Sequence, residues 1–168
     1  MNLFKPKMYK KDIFDIDYQK LKEKNIKLII FDLDNTIGRI KDELPSKKII
    51  AFIEKLSKDF KIVVASNNFK KRVRKYCEKL NCDYFYAVLK PSVRIGLLIK
   101  KRYKISSKNT CIIGDQIITD ILMGNRLKMH TILVDPISEK DLRITRLNRW
   151  LEKYVMKKYK IKKGDYYD

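Results

Sequence analysis

The chain has 168 residues, of which 45% are hydrophobic and 36% are charged, and its formal net charge at pH 7 is +20. This length suits one compact domain with a buried core, and no apolar run approaches the roughly 18–20 residues of a membrane-spanning helix. Residues 1–11 also lack the long apolar core of a secretory signal, so we expect a cytoplasmic protein. The three cysteines, Cys77, Cys82 and Cys111, form no C-x-x-C pair, which favours free structural thiols over a disulfide framework or a zinc site.

The first part of the chain is predicted to begin with an extended arm and to continue as a strand, helix, strand unit. Residues 2–11 are basic and contain Pro6, which favours an extended arm. Hydrophobic periodicity and turn residues then predict a helix at about 15–24, a buried strand at 28–31, a helix that starts at residues 45–46, and a strand at 61–65.

The same alternation continues toward the C-terminus. It predicts a helix at about 69–80, a strand at 84–87, a helix at 93–103, a strand at 110–114, a helix at 119–126 and a strand at 131–134. Strands that alternate with helices of this length predict an α/β fold with a parallel sheet covered on both faces. We expect residues 1–136 to form this core with its basic N-terminal arm. Residues 137–168 are expected to add a basic, partly amphipathic helix and tail, either within the same domain or as an appendage.

Polar residues cluster where the predicted strands end, and parallel strands bring such ends to one ligand-binding edge. The clusters are Asp32 with Asp34, Ser66 with Asn67, Lys90, and Asp115 with Gln116 and Asp120. Each has a structural alternative, because serine and asparagine cap helices, lysine can be a solvated cation and aspartate forms turns. Capping does not require a lysine and several carboxylates at one edge, so together the clusters favour a functional site.

Carboxylates that converge at one point repel each other and raise each other's pKa unless a cation lies among them. Oxygen ligands without a Cys or His cluster indicate Mg²⁺. The single histidine, His130, precedes a core strand and is distant in sequence from the acidic clusters, so we interpret it as structural.

These residue types fit phosphoryl transfer. With a metal ion on the phosphate oxygens, Asp32 can attack phosphorus, and Asp34 can protonate the leaving alcohol and later deprotonate a water molecule. Ser66 and nearby amide nitrogens, with Asn67 among the predicted phosphate-binding residues, would hold the transferred group, while Lys90 balances negative charge.

The residues resemble, in order, the four motifs of the haloacid dehalogenase (HAD) superfamily of phosphatases. The matching pieces are Asp32-x-Asp34-Asn35-Thr36, Ser66, Lys90 and Gly114-Asp115-x-x-x-x-Asp120. More closely, the chain resembles the capless subclass IIIA phosphatases of the YqeG type, on residues 31–36, 66–68, 90–91 and 114–126. The resemblance extends from about residue 5 to residue 136. It implies a three-layer Rossmann-like fold with no cap domain and an aspartyl-phosphate mechanism for phosphomonoester hydrolysis.

The resemblance also implies a role for each site residue. Asp32 would be the nucleophile and a metal ligand, Asp34 the acid/base with its backbone carbonyl on the metal, and Asp115 the remaining protein ligand. Asp120 would steady Lys90 or the metal's water molecules. Asn35, Thr36 and Gln116 would support the site, and Gln116 stands where many relatives carry a second acidic residue, which makes the expected metal site less charged.

The spacing of the motifs bears on the substrate. Thr36 and Ser66 are separated by 29 residues, and Ser66 and Lys90 by 23, and both gaps are filled by predicted helices and strands. No lid domain fits in either gap, so water must be excluded by a large substrate, a partner or a surface.

The composition of the C-terminal segment also bears on the substrate. Cations far outnumber anions in residues 143–163, and Leu147, Trp150, Leu151 and Tyr154 recur at helical spacing. Such a helix can lie on anionic lipid with its aromatic residues as anchors, or its apolar stripe can pack on the sheet while the cationic face is solvated.

We therefore expect a phosphorylated substrate that is large or membrane-borne, such as the phosphatidylglycerophosphate that related mitochondrial and plastid phosphatases hydrolyse. A protein of this kind would be peripheral at the inner face of the membrane. Two alternatives stay open: a phosphatase on nucleotides or nucleic-acid ends, which the net charge allows, and a basic binding protein that keeps the fold without catalysis. The sequence does not indicate the oligomeric state.

Overall fold

The computed structural model describes residues 2–138 and 143–164, with only the backbone of residues 143–149. A six-stranded sheet in the order β1-β6-β5-β2-β3-β4 lies at its centre, and all five strand pairs are parallel. The strands are β1 (Met8–Lys10), β2 (Leu28–Phe31), β3 (Lys61–Ala65), β4 (Asp83–Phe85), β5 (Thr110–Gly114) and β6 (His130–Val134). The expected parallel α/β sheet is confirmed.

Helices cover both faces of the sheet. They are α1 (Tyr18–Glu23), α2 (Lys47–Leu56), α3 (Lys70–Leu80), α4 (Arg94–Tyr103), α5 (Leu122–Arg126) and α6 (Arg143–Lys158). Alternate residues of β2 belong to different hydrophobic clusters: Ile29 and Phe31 pack with α1, α2 and α3, whereas Leu28 and Ile30 pack with α4 and α5. This alternation is the period-two geometry of a strand with two buried faces, and it makes the fold three-layered.

The N-terminal segment differs from the predicted arm, because Met8–Lys10 pairs with β6 as an edge strand. The hydroxyl of Tyr9 donates to Asp135 Oδ1 at 2.5 Å, and the backbone N of Gly164 donates to the carbonyl of Tyr9 at 2.7 Å. A strand of three residues is too short to show a sequence period, and its pairing depends on these contacts with distant residues.

Two predicted helices are shorter or less regular than expected. The first is a 3₁₀ turn at Ile13–Asp15 followed by α1, and the helix predicted at 119–126 is a π-helical turn at Ile117–Ile121 that leads into α5. In the π turn the carbonyl of Gln116 accepts from the backbone N of Asp120 at 3.0 Å and from that of Ile121 at 3.3 Å. The strand predicted at 84–87 lies at Asp83–Phe85, and the remaining boundaries agree within one or two residues.

No cap domain interrupts the fold within residues 2–138, as predicted. The chain runs from β2 to α2 through residues 32–46 and from β3 to α3 through residues 66–69, so neither connection has room for an inserted domain. Among the helices that the structure describes, none combines the length and the apolar character needed to span a bilayer.

Candidate active site

The structure brings the sequence-predicted residues together at the carboxyl ends of the strands. Asp32 directly follows β2, Ser66 follows β3 and Asp115 follows β5, while Lys90 lies in the connection between β4 and α4. All four are buried. The buried hydrophobic runs of β2, β3 and β5 fix the register of the strands, and the polar residues that follow them therefore meet at one edge.

Lys90 lies at the centre of the site. Its ammonium group donates to Asp32 Oδ1, to Asp120 Oδ1 at 2.6 Å and to the carbonyl of Ala65 at 2.9 Å. Burial by itself would lower the pKa of Lys90, but the carboxylates of Asp120 and Asp32 hold it above its ordinary value. Lys90 is therefore a fixed positive charge and not the solvated cation of the structural alternative.

For Asp32, burial and the charge of Lys90 shift the pKa in the directions opposite to those at Lys90. Burial raises the pKa of Asp32 above the ordinary aspartate range, and the positive charge of Lys90 opposes that shift. The negative charges of Asp120 and Asp34 act in the same direction as burial. A cation bound beside Asp32 would favour its ionised form.

Three carboxylates form a buried cluster, and they belong to the predicted ligands Asp32 and Asp115 and to Asp120, while the ligand expected from Asp34 is its backbone carbonyl. Oxygen atoms of Asp32, Asp115 and Asp120 lie within 4.8 Å of one another, whereas the carboxylate of Asp34 points elsewhere. The chain leaves β2 after Phe31, so the side chains of Asp32 and Asp34 diverge. The cluster offers only oxygen donors and is buried, which fits a divalent cation of the hard class.

A tight turn shapes the loop after Asp32. Asn35 has a φ of 65°, a left-handed conformation that asparagine tolerates, and its backbone N donates to the carbonyl of Gly38 at 2.7 Å. The hydroxyl of Thr36 lies 3.5 Å from Asp32 Oδ2 and 3.4 Å from Asp115 Oδ1. At Gly38 a Cβ atom would lie 2.5 Å from the hydroxyl of Tyr76, so this position has no room for a side chain.

The loop after β3 is tied to the backbone of Lys90. Asn67 Oδ1 accepts from the backbone N of Lys90 at 2.7 Å, and Asn67 Nδ2 donates to the carbonyl of Lys90 at 3.3 Å. Ser66 Oγ accepts from the backbone N of Asn68 at 3.1 Å. The side chain predicted to contact phosphate at Asn67 is thus engaged in positioning Lys90.

The loop after β5 positions Asp120. Asp120 Oδ2 lies 3.3 Å from both the backbone N of Gln116 and the hydroxyl of Thr119. A Cβ atom on Gly114 would lie 2.3 Å from Asp120 Cγ, so glycine is required for this close approach. Asp120 contacts Lys90 directly.

Arg72 is a site residue that sequence reasoning missed. Its Nε and Nη2 donate to Asp34 Oδ1 at 2.9 and 2.5 Å, and Asn68 Nδ2 donates to Asp34 Oδ2 at 3.0 Å. The guanidinium also donates to the carbonyls of Asp42 and Arg39. The sequence feature that could have indicated Arg72 is helical spacing: residue 72 lies one turn before the buried Tyr76, on the same face of α3.

Comparison with known proteins assigns the family. The chain is 36% identical over 160 residues to the probable phosphatase YqeG of Bacillus subtilis (strain 168), which covers 95% of this chain and 93% of that protein. The chain is a phosphatase of the HAD superfamily. A HAD-hydrolase-like family model matches residues 88–143 of this HAD phosphatase, which agrees with its assignment as a phosphoric monoester hydrolase.

Weaker similarities extend the comparison. This HAD phosphatase is 26% identical over 168 residues to phosphatidylglycerophosphate phosphatase 1, chloroplastic/mitochondrial, of Arabidopsis thaliana, over 88% of this chain and 48% of that protein. Its fold resembles a predicted HAD-like family hydrolase from Porphyromonas gingivalis, with a TM-score of 0.55, 16% identity, and coverage of 74% of this chain and 98% of the other. The cobalt-bound phosphatase YrbI from Haemophilus influenzae gives a TM-score of 0.52 with 17% identity, over 83% of this chain and 91% of the other.

His130 lies at the first residue of β6, at the opposite end of the strand from the active site of the HAD phosphatase. Burial lowers the pKa of His130 to about 4, and the positive charges of Lys24 and Lys7 act in the same direction. The imidazole is therefore neutral at pH 7 and lies apart from the acidic cluster, as its structural interpretation requires.

The C-terminal helix of the HAD phosphatase packs through a different face from the predicted one. Trp150 and Tyr154 are 66% and 60% exposed, and Leu151 is 37% exposed, so the interpretation that this stripe packs on the sheet is wrong for these three residues. The side chain of Leu147 lies outside the described residues. The packed face consists of Glu152, Val155, Met156 and Tyr159. Glu152 Oε1 accepts from the backbone N of Ile117 at 2.5 Å, so α6 contacts the loop that carries Asp120.

Proposed function

We propose that this HAD phosphatase hydrolyses the phosphomonoester of a membrane-borne lipid of the phosphatidylglycerophosphate class, with Mg²⁺ as its cofactor. The observation that carries the proposal is the buried cluster of Asp32, Asp115 and Asp120 around Lys90, at a strand edge that no inserted domain covers. The similarity to an Arabidopsis protein named for this lipid activity supports the choice of substrate.

Asp32 and Asp115 would hold the metal ion, together with the backbone carbonyl of Asp34. Oxygen ligands of this kind suit Mg²⁺, which would neutralise charge on the phosphate oxygens when bound. Asp120 would hold Lys90 in position, since it accepts a hydrogen bond from the ammonium group of Lys90.

In the first half-reaction, a carboxylate oxygen of Asp32 attacks phosphorus. The new O–P bond forms an acyl phosphate on Asp32 while the bond from phosphorus to the alcohol oxygen breaks. Asp34 gives its proton to that alcohol oxygen, and the alcohol leaves. Lys90 offsets the negative charge of the transferred group, and Ser66 with nearby backbone amides binds its oxygens.

In the second half-reaction, a water molecule attacks the phosphorus of the acyl phosphate. Asp34 now removes a proton from the water, the bond to Asp32 breaks, and inorganic phosphate leaves, which restores the carboxylate of Asp32 and the protonated form of Asp34. Arg72 and Asn68 hold the carboxylate of Asp34 in place through both steps.

The surroundings of the site support a large or surface-bound substrate. Residues 32–46 and 66–69 connect strands to helices without adding a lid, so the enzyme itself does not enclose a small metabolite. A net charge of +20 favours an anionic surface, which agrees with a peripheral position at the inner face of a membrane.

A phosphatase panel tests the proposal. Purified protein with Mg²⁺ is given phosphatidylglycerophosphate in vesicles, a nucleoside monophosphate, a 5′-phosphorylated RNA and a sugar phosphate, and released phosphate is measured. We expect the fastest release from the lipid. Asp32→Asn should lower that release by about 10³-fold or more, because the amide is no longer a competent nucleophile.

Two outcomes would contradict parts of the proposal separately. Release from nucleotides or RNA but not from the lipid would refute the substrate and favour the nucleic-acid alternative. Unchanged release from Asp32→Asn, with a native circular dichroism spectrum, would refute the assigned nucleophile.

A further inference from the structure

Three large apolar or aromatic side chains project into solvent beside the active site. Phe69 is 82% exposed and Leu89 is 75% exposed, more than any other large hydrophobic side chain in the part of the chain that the structure describes. Tyr86 is 43% exposed. We refer to Phe69, Tyr86 and Leu89 as the rim.

The rim is built on the backbone that forms the phosphate site. Phe69 comes three residues after Ser66, and Leu89 directly precedes Lys90. Hydrogen bonds join the two loops: the backbone N of Val88 donates to the carbonyl of Ser66 at 3.2 Å, and that of Ala87 donates to the carbonyl of Asn68 at 3.0 Å. The exposed side chains are thus fixed relative to the site.

Two rim residues contradict the local preference of their positions. Phe69 is the N-cap of α3 and makes no side-chain capping bond, although Ser, Thr, Asp and Asn stabilise that position. Leu89 has a φ of 53°, a left-handed conformation that disfavours a residue with a Cβ atom. Neither side chain is buried, so packing does not explain them. Local rules broken without a structural gain are typical of functional surfaces.

Positive charge lies next to the rim. Lys70, Lys71, Arg74 and Lys75 are exposed on the first turns of α3. Arg74 pairs with Glu78 and Lys75 with Glu43, whereas Lys70 and Lys71 form no ion pair with any described residue. Lys70 Nζ lies 5.7 Å from the centre of the Tyr86 ring.

The apolar surface continues on the far side of Leu89. A groove of about 590 Å³ is lined by Tyr86, Leu89, Ile95 and Leu98, with Arg94 and Arg102 also in its wall. Apolar and aromatic side chains bordered by cations are the composition that binds the interface of an anionic bilayer.

We propose that the rim docks on an anionic lipid bilayer, so that the active site opens onto the membrane surface. The inference rests on the proposed lipid substrate and names the surface that brings the site to it. Phe69 and Leu89 insert into the interfacial layer, while Lys70 and Lys71 contact lipid phosphates.

Vesicle sedimentation of the full chain tests the proposal. Vesicles of phosphatidylcholine with about 30% phosphatidylglycerol are compared with vesicles of phosphatidylcholine alone. We expect the wild type to bind the anionic vesicles, and Phe69→Ser/Leu89→Asn to lose about tenfold or more in partitioning, because it removes the apolar groups. The melting temperature of this variant should not fall, because serine caps a helix and asparagine tolerates a positive φ.

A matched variant on α6 provides the control. The exposed aromatic residues of α6 are the competing candidate for the lipid contact, and Trp150→Ser/Tyr154→Ser removes them. Because they lie outside the rim, we expect this variant to bind as the wild type does. Loss of binding in the α6 variant that equals or exceeds the loss in the rim variant would overturn the assignment of the docking surface.

Hydrolysis of the same lipid in detergent micelles separates the two proposals. A wild type that releases phosphate from micellar phosphatidylglycerophosphate but does not bind anionic vesicles would refute the docking surface alone. A wild type that binds vesicles through the rim but releases no phosphate from the lipid would refute the proposed substrate alone.

Discussion

At the scale of single residues, the contact between Arg72 and Asp34 connects the structure to the proposed chemistry. Arg72 is fixed by two backbone carbonyls in addition to the carboxylate, and its side chain is 18% exposed. A planar guanidinium that binds through two nitrogens fixes the orientation of a carboxylate as well as its charge. We infer that Arg72 positions Asp34 for proton transfer.

We expect Arg72→Gln to lower kcat by about 10- to 100-fold and to leave KM within about twofold, because a misplaced acid affects the transition state more than substrate binding. Arg72→Lys should recover part of the loss, since it restores the charge without the paired donors. Initial rates on an alkyl phosphomonoester measure both constants, because its alcohol leaves only when its oxygen is protonated.

Arg74→Gln is the matched control, because Arg74 lies on the same helix but pairs with Glu78 in solvent. It should behave as the wild type. An increase in KM with unchanged kcat for Arg72→Gln would show that Arg72 contacts substrate and does not act through Asp34.

The sequence predicted the residues that strand ends deliver and missed the residue that a helix delivers. Asp32, Ser66, Lys90 and Asp115 could be placed because the carboxyl ends of parallel strands converge. Arg72 was missed because its helical spacing from Tyr76 does not by itself distinguish a buried contact from a solvated cation, and its partner Asp34 is 38 residues away. The approach of Asp120 to Asp32 and Asp115 also depends on loop geometry, which hydrophobic period and motif spacing do not encode.

At the scale of secondary structure elements, β1 and α6 are held against the core by contacts that local sequence patterns do not predict. β1 pairs with β6, Tyr9 accepts from Gly164, and α6 turns a face with helical spacing, 152, 155, 156 and 159, toward the core. That face begins with a glutamate, whereas the stripe of Trp150 and Tyr154 is more apolar. Sequence analysis therefore favoured the stripe as the packed face. These contacts support the proposal that the C-terminal helix belongs to the same domain as the core.

Glu152 provides a test of the attachment of α6. It is buried and accepts from the backbone N of Ile117, which Glu152→Ala would leave without that acceptor. We expect the free energy of unfolding to fall by about 1–3 kcal/mol. Glu152→Gln keeps an acceptor oxygen, so its free energy of unfolding should fall by less. Urea unfolding measures the change.

Glu54→Ala, at an exposed position of α2, is the corresponding control and should change the free energy of unfolding by at most about 0.5 kcal/mol. A Glu152→Ala variant as stable as Glu54→Ala would mean that α6 is held by its apolar contacts alone.

At the scale of the whole molecule, the alternation of strands and helices was sufficient to predict the architecture, because a parallel sheet needs helices on both faces. The same scale separates two electrostatic environments. The pair of Lys90 and Asp32 is buried, whereas most of the net charge of +20 is carried by exposed side chains that act on an approaching surface. Salt screens the exposed charges much more than it screens the buried pair.

This difference predicts how ionic strength affects activity. Raising the salt concentration from about 0.1 M to about 1 M shortens the Debye length from about 10 Å to about 3 Å. Hydrolysis of phosphatidylglycerophosphate in anionic vesicles should then fall by about tenfold or more, because attraction between the basic surface and the bilayer is lost. Hydrolysis of para-nitrophenyl phosphate should stay within about twofold, because the buried charges are screened less. Equal losses on both substrates would place the salt effect in the active site, and the basic surface would then have no part in bringing the enzyme to its substrate.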